Sequence, residues 1–327
     1  MTTAFPETDQ DRNAWVVARR GARNQVDVSR PYAFLLEDEL SETGRVAKVA
    51  TIFLTNRECP WRCVMCDLWK NTIEGSTPAG AIPAQIDFAL SRLPPADRVK
   101  LYNSGSFFDR SAIPVQDWPV IAKRLDNFQR VIIECHPKLI NEAVIQFRDL
   151  LAGKLEIAMG LETAHPETLA RLNKRMTLED FSTAARFLSE AEIALRTFVL
   201  VKPPFQSDDE ALTWCRRSVD FAFECGSTAV SLIPTRFGNG SLEALAASRA
   251  FSPPSLALFE KAFADALSPR RGRVFSDVWD LEKFSQCPAC FRERKARLDR
   301  MNLSQRVEAE IECSGLFPTD LSDACGL

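Results

Sequence analysis

The chain has 327 residues, of which 46% are hydrophobic and 26% charged, with a net charge of −3. These values suit one large globular α/β domain, or a domain with an appendage, and exclude a surface that attracts nucleic acid by net charge alone. No apolar run approaches the ~18 residues that span a bilayer, and the polar start Met1-Thr2-Thr3-Ala4 shows no signal-peptide pattern. No membrane association and a reducing, cytoplasmic setting are therefore expected.

Residues 1–45 read as an N-terminal extension. Residues 11–23 suit a short helix whose Arg19, Arg20 and Arg23 form a solvated face. Residues 34–37 suit a strand or turn that covers the start of the main domain. Residues 49–55 form a buried strand. Directly after it, Cys59, Cys63 and Cys66 stand at the spacing C-x3-C-x2-C. Composition alone gives such a triple in roughly 1 in 100 chains of this kind. Thiolates are the natural ligands of iron–sulfur clusters, and a [4Fe–4S] cluster normally takes four. Three from one short loop leave one iron open to another ligand. A zinc knuckle or three unrelated buried thiols are the alternatives. Zinc would need a fourth ligand nearby, whereas the next cysteine is Cys135 and the histidines are His136 and His165.

From there to about residue 280, strands and helices alternate. Strands are expected at 99–103, 131–135, 155–160, 195–201 and 228–233. Thr177-Leu178-Glu179-Asp180 has the form of a capping box ahead of Phe181, Ala184, Ala185 and Leu188. Ser207-Asp208-Asp209-Glu210 opens another helix, with acids in its first turn to suit the helix dipole. Repeated strand–helix units imply a parallel sheet with right-handed crossovers. In barrels of that kind, chemistry gathers at the C-terminal strand ends.

The cysteine spacing, just after the first barrel strand, resembles the signature of the radical S-adenosylmethionine (SAM) superfamily. The resemblance implies a partial (β/α)6 barrel over residues 46–280, a [4Fe–4S] cluster on Cys59, Cys63 and Cys66, and SAM chelated to the open iron. It also implies reductive cleavage of SAM to a 5′-deoxyadenosyl radical that abstracts hydrogen from a substrate, with a flavodoxin or ferredoxin as electron donor. Met65 stands where many members place an aromatic residue against the adenine; it too is apolar and able to cover a ring.

The strand ends extend the resemblance. Gly105-Ser106 aligns with a Gly-Gly-Glu type motif that holds the SAM amino group, here without the acid. Ile133-Glu134-Cys135-His136-Pro137 looks like the Glu-x-Arg-Pro pattern of the Elp3-like branch, which places Glu134 over the site. Gly160-Leu161-Glu162-Thr163, followed by Asn173-Lys174-Arg175-Met176-Thr177, resembles the Elp3/MiaB-like turn that faces SAM. Glu162 is thus the candidate for a SAM ribose or amino contact. Lys202, at the end of strand five, is a candidate for the SAM carboxylate or a substrate phosphate. Pro234-Thr235 with Gly240-Ser241-Leu242 resembles the radical SAM subunit of archaeosine synthase and its uncharacterised bacterial relatives, so that Pro234 and Thr235 would line the adenine. Without the resemblance, these stretches read as strand-to-helix turns, a solvated acid and a solvated lysine.

Residues 281–327 form a C-terminal extension with a second cysteine set. Cys287 and Cys290 make a C-x2-C pair, which composition gives in roughly one chain in three. With Cys313 and Cys325 they would supply four ligands for zinc or an auxiliary cluster; a redox pair or plain packing are the alternatives. Arg292, Arg294, Lys295 and Arg297 make residues 291–301 a helix with either a solvated face or a local RNA or phosphate patch. The archaeosine-type resemblance implies tRNA deazaguanine modification, on tRNA directly or with a tRNA-binding partner protein. A radical enzyme for a small molecule or peptide is the second reading. A non-catalytic zinc-binding interaction module, which would leave SAM intact, is the third.

Overall fold

Eight strands form one sheet in chain order. They are β1 (Ala33–Leu40), β2 (Val46–Leu54), β3 (Arg98–Asn103), β4 (Arg130–Glu134), β5 (Lys154–Glu162), β6 (Ala194–Val201), β7 (Ala229–Pro234) and β8 (Arg273–Ser276). The structure, a computed structural model, describes residues 5–313. β1 runs antiparallel to β2, and every later pair is parallel. The helices are α1 (Asp9–Val17), α2 (Ala81–Leu90), α3 (Trp118–Arg124), α4 (Glu142–Arg148), α5 (Pro166–Arg171), α6 (Leu178–Glu190), α7 (Asp208–Glu224), α8 (Ser241–Ala247), α9 (Leu256–Leu267) and α10 (Pro288–Ser304). Among the described residues, no helix is long and apolar enough to cross a membrane.

This is an α/β partial barrel. The six expected strands are β2–β7, and two more extend the sheet. β1 hydrogen-bonds along β2 from Ala33↔Phe53 to Leu40↔Val46, so residues 33–40 are part of the sheet rather than a separate cover. β8 has four residues, too few for a periodic signal. The capping boxes at Thr177–Asp180 and Ser207–Glu210 open α6 and α7 as the sequence implies. The helix-facing sides of the strands supply the main core, with Ile52, Leu54, Val99, Leu101, Val131, Ile133 and Ile157 fully buried.

The lumen side is charged at its base. Arg196 of β6 reaches across the sheet to Glu39 of β1 through two bonds of 2.6 and 2.8 Å, and to Glu156 at 2.9 Å. Lys100 of β3 meets the same Glu39 at 2.6 Å. Contacts between such distant strands require the sheet to curl. Burial alone pushes the Glu39 carboxyl up, but Arg196 and Lys100 outweigh it and hold it well below the usual carboxylate range. Arg98 and Arg130, at the starts of β3 and β4, share Glu42 at 2.6 and 2.8 Å.

The open edge is closed by side chains. The Asn302 amide accepts from Ser276 N (2.7 Å) and donates to Ser276 O (2.9 Å); Gln305 does the same to Val274, both at 2.7 Å. Two amides thus stand in for a neighbouring strand on β8. α10 packs against both β8 and β1. Its Arg294 and Arg297 are buried and paired with Glu260 of α9, so these two arginines belong neither to a solvated face nor to a phosphate patch. The N-terminal arginines differ from expectation in a similar way. Arg20 and Arg23 each pair with Glu58 at 2.6 Å, and Arg19 lies over the Trp15 ring at 3.8 Å.

Glu39→Gln leaves Arg196 and Lys100 buried with one counter-charge fewer, at a cost of about 3–5 kcal/mol. Because the folded carboxyl titrates below its unfolded value of 4.5, its contribution is complete above that pH and fades as pH falls. Denaturant titrations should show a wide gap between wild type and variant at neutral pH that narrows in acid; a gap that is constant with pH would contradict the arrangement.

Candidate active site

The three cysteines lie on the irregular segment between β2 and α2, at the C-terminal end of the first parallel strand. This segment has no ladder of its own, so its shape comes from other elements. Val64 N donates to Leu172 O at 2.9 Å. The Asn173 amide donates to Arg62 O (2.7 Å), and the Asn239 amide to Val64 O (2.6 Å). A satellite core of Trp15, Val16, Val64, Leu242, Leu245 and Phe251, with Met65 and Phe205 against it, joins α1 and α8 to the loop. Glu58, one residue before Cys59, gathers Arg20, Arg23 and Arg62. Gly105 (φ 127°) is needed where β3 ends, because a Cβ there would lie 3.0 Å from Cys59 Cβ.

Burial raises all three cysteines, reinforced at Cys59 and Cys66 by the neighbouring thiols. Cys59 is pushed up to about 12 and Cys63 to about 11, with Lys174 partly offsetting the Cys63 shift; Cys66 rises well above its ordinary value. Such a set is protonated when metal-free and releases protons when cations bind. Three close, half-buried thiols fit a cluster with one open iron. The polar surroundings fit a bound cosubstrate as well. Both amide atoms of Asn103, at 1% exposure and two residues before Gly105, lack a partner among the described residues, as a site left for a polar ligand would have them.

Lys174 and Glu162 form a buried ion pair beside the thiols. Burial opposes the Lys174 charge, but Glu162, Cys63 and Glu134 outweigh it and its pKa is raised. Glu162 sits at φ 67°, where the β5–β6 register shifts between Gly160 and Glu162. Glu134, at the end of β4, is pushed up to about 8 by burial and by Glu162, against the pull of Lys174. His136 stacks on Trp61 of the cysteine loop at 3.8 Å and 9°, and its Nε2 meets Lys174 O at 2.9 Å. Burial and Lys174 lower it to about 3, so it is neutral.

The structure brings Cys59, Cys63, Cys66, Gly105, Glu134 and Glu162 to one end of the barrel. Other singled-out residues have partners of their own. The Ser106 hydroxyl accepts from His136 N at 2.6 Å. Met65 lies half-buried on the satellite core. Lys202 pairs with Asp208 and donates to Ser252 at 2.8 Å. Thr235, one residue past Pro234, donates through its hydroxyl to Val201 O at 3.1 Å. Cys287, Cys290 and Cys313 gather elsewhere, and Cys325 lies outside the described residues. Lys174, Asn103, Asn173 and Asn239 were not singled out, although each lies inside a stretch that was. Nor was the aromatic chamber above the charged base. There Phe53 packs against Tyr32, Tyr102 and Trp279 at 5.5–6.0 Å, and Tyr102 meets Phe198 across the lumen at 5.8 Å.

No protein-family model matches the chain. It is similar to the uncharacterized protein MJ0550 of Methanocaldococcus jannaschii, with 25% identity covering 90% of this chain and 88% of that protein. It is similar also to archaeosine synthase subunit beta of Methanosarcina acetivorans, with 27% identity over 65% of each, so the match spans just under two thirds of that relative. The crystal structure of methylornithine synthase (PylB) superposes with a TM-score of 0.54 at 13% identity, covering 97% of this chain and 85% of that one. The fold is the radical SAM partial barrel. The resemblance to the radical SAM superfamily, with archaeosine synthase among the similar proteins, holds alongside it.

Gly160 is the tightest constraint on the radical SAM barrel's charged pair. A Cβ at this position would fall 2.2 Å from Glu162 Oε1 and 2.3 Å from Lys174 Nζ. Gly160→Ala should therefore displace the pair and cost about 1–3 kcal/mol. Lys174→Met, which leaves Glu162 buried and unpaired, should cost about 3–5 kcal/mol. Thermal denaturation checks both; unchanged midpoints would contradict the pairing.

Proposed function

We propose that this chain is a radical SAM enzyme that holds a [4Fe–4S] cluster on Cys59, Cys63 and Cys66, binds SAM beside it, and acts on a deazaguanine nucleoside of tRNA in an archaeosine-type modification. The observation that carries the reading is the set of three half-buried thiols at the C-terminal end of the barrel, with Cys59 packed against Gly105 and the Asn103 amide unpartnered among the described residues. When bound, the cluster supplies the electron that splits SAM to methionine and a 5′-deoxyadenosyl radical, which takes a hydrogen atom from the substrate.

The chain's own residues bind, orient and exclude water. Asn173 and Asn239 fix the loop backbone, so the sulfurs keep their places. Asn103 offers an amide to the carboxylate of SAM, and Glu134 a carboxyl to its cationic end. A cation at Glu134 favours the ionised form, so SAM uptake below the raised value of about 8 would release a proton there. Glu162, fixed by Lys174, is the acceptor for ribose hydroxyls or the amino group. The chamber of Phe53, Tyr102 and Phe198 keeps water from the reacting C–H and offers ring faces to a flat base. Similarity to archaeosine synthase subunit beta supports the substrate class. With a net charge of −3, a separate tRNA-binding partner would supply most of the phosphate contacts. A flavodoxin or ferredoxin would supply the electron.

Reconstituted and reduced without oxygen, the protein should form 5′-deoxyadenosine, and total tRNA should stimulate it. Cys63→Ala should reduce formation to background. Near-normal formation by that variant would overturn the cluster assignment. Formation by wild type that ignores tRNA would overturn the substrate class and favour a small molecule or peptide.

A further inference from the structure

A second group of thiols lies outside the barrel site. Cys287 directly precedes α10, Cys290 is in its first turn, and Cys313 belongs to the segment beyond it. The three Sγ atoms all lie within 4.8 Å of one another, with Cys287 and Cys313 3.5 Å apart. Cys287 and Cys290 are 1% and 5% exposed. A disulfide would need about 2.05 Å. Zinc–sulfur bonds of about 2.3 Å place the sulfurs of a tetrahedron about 3.8 Å apart, which is the spacing approached here. A cubane cluster binds each cysteine on a different iron and spreads the sulfurs more widely. The barrel's own Cys59, Cys63 and Cys66 are not drawn so tightly together among the described residues.

The surroundings suit a thiolate-bound ion. Arg294 lies near the Cys290 thiol and is anchored by Glu260 at 2.9 Å, so a fixed cation offsets part of the negative charge that several thiolates would bring. The chain beyond α10 is laid back along the helix. Gln305, at φ 52°, reverses its direction. Arg297 then donates to Glu308 O at 2.8 Å, and Arg300 pairs with Glu308 at 2.7 Å. Cys313 closes this return against the start of the helix. Asn302 of the same helix and Gln305 just past its end carry the amides that cover β8.

We propose that Cys287, Cys290 and Cys313 bind one Zn²⁺ as thiolates, independently of the barrel cluster, and that the ion staples the returning C-terminal segment to the start of α10. Binding releases the thiol protons. Tetrahedral zinc completes its fourth place with water or one further donor atom.

The test removes the barrel's iron first. A Cys59→Ser, Cys63→Ser, Cys66→Ser variant, checked for folding by circular dichroism, should retain about one zinc per chain by elemental analysis and no iron. Adding Cys287→Ser and Cys290→Ser should bring zinc to background. Should these variants fail to fold, the wild-type protein gives the same answer: titration with an organomercurial should release zinc to a colorimetric chelator as thiols are blocked, and trypsin should then cut faster after Arg306. Absence of zinc, iron at the C-terminal cysteines, or a Cys287–Cys313 disulfide in protein isolated under reducing conditions would each overturn the proposal.

Discussion

The cysteine loop is held by two side-chain amides that come from far along the chain. Asn173 reaches back from the turn after α5 to Arg62 O, and Asn239 from the loop before α8 to Val64 O. A loop with no ladder of its own would otherwise fluctuate, because each ordered residue costs conformational entropy. The amides, the Val64–Leu172 bond and the satellite core under Val64 and Met65 remove that freedom. The placement of three sulfurs therefore depends on β5, β7 and α1 being correctly docked. Site and fold are not separable here: the loop is finished only when the barrel is.

The lumen divides its charges between two tasks. At the base, Glu39, Lys100, Glu156 and Arg196 neutralise one another across the curled sheet. That network stabilises the curl and carries no reactive group. At the other end, Glu162 and Lys174 are buried and Glu134 half-buried, and the charges are less evenly matched, two acids to one lysine. Burial, with Glu162 beside it, raises Glu134, a group ready to meet a cation. Between the two lies the aromatic chamber. This follows the division seen in parallel barrels, where one end gives stability and the C-terminal strand ends give chemistry.

The sequence made the parallel strands legible because each is a short apolar run bounded by a turn, as at Val131-Ile132-Ile133. The helices opened by Thr177 and Ser207 were legible because a capping box and a run of acids in the first turn are local signals. β8 escaped because Arg273-Val274-Phe275-Ser276 is too short to show a period. In the site, Cys59, Cys63 and Cys66 were readable from spacing, and Gly160 with Glu162 from a motif. What side chains meet across the fold was not readable. Lys202, the candidate for the SAM carboxylate or a substrate phosphate, also pairs with Asp208, six residues on. Arg294 and Arg297 looked solvated because nothing local marks Glu260 as their partner. Lys174 and Asn239 carry no signal of their own; their roles come from tertiary contacts alone.

The claim on which the account rests is that Cys59, Cys63 and Cys66 leave one iron free to take SAM. Electron paramagnetic resonance of the anaerobically reconstituted, reduced protein, recorded with and without SAM, tests it most directly. The account predicts the signal of a reduced [4Fe–4S] cluster whose g-values shift when SAM is added. A cluster signal that SAM leaves unchanged, or no cluster signal at all, would contradict it.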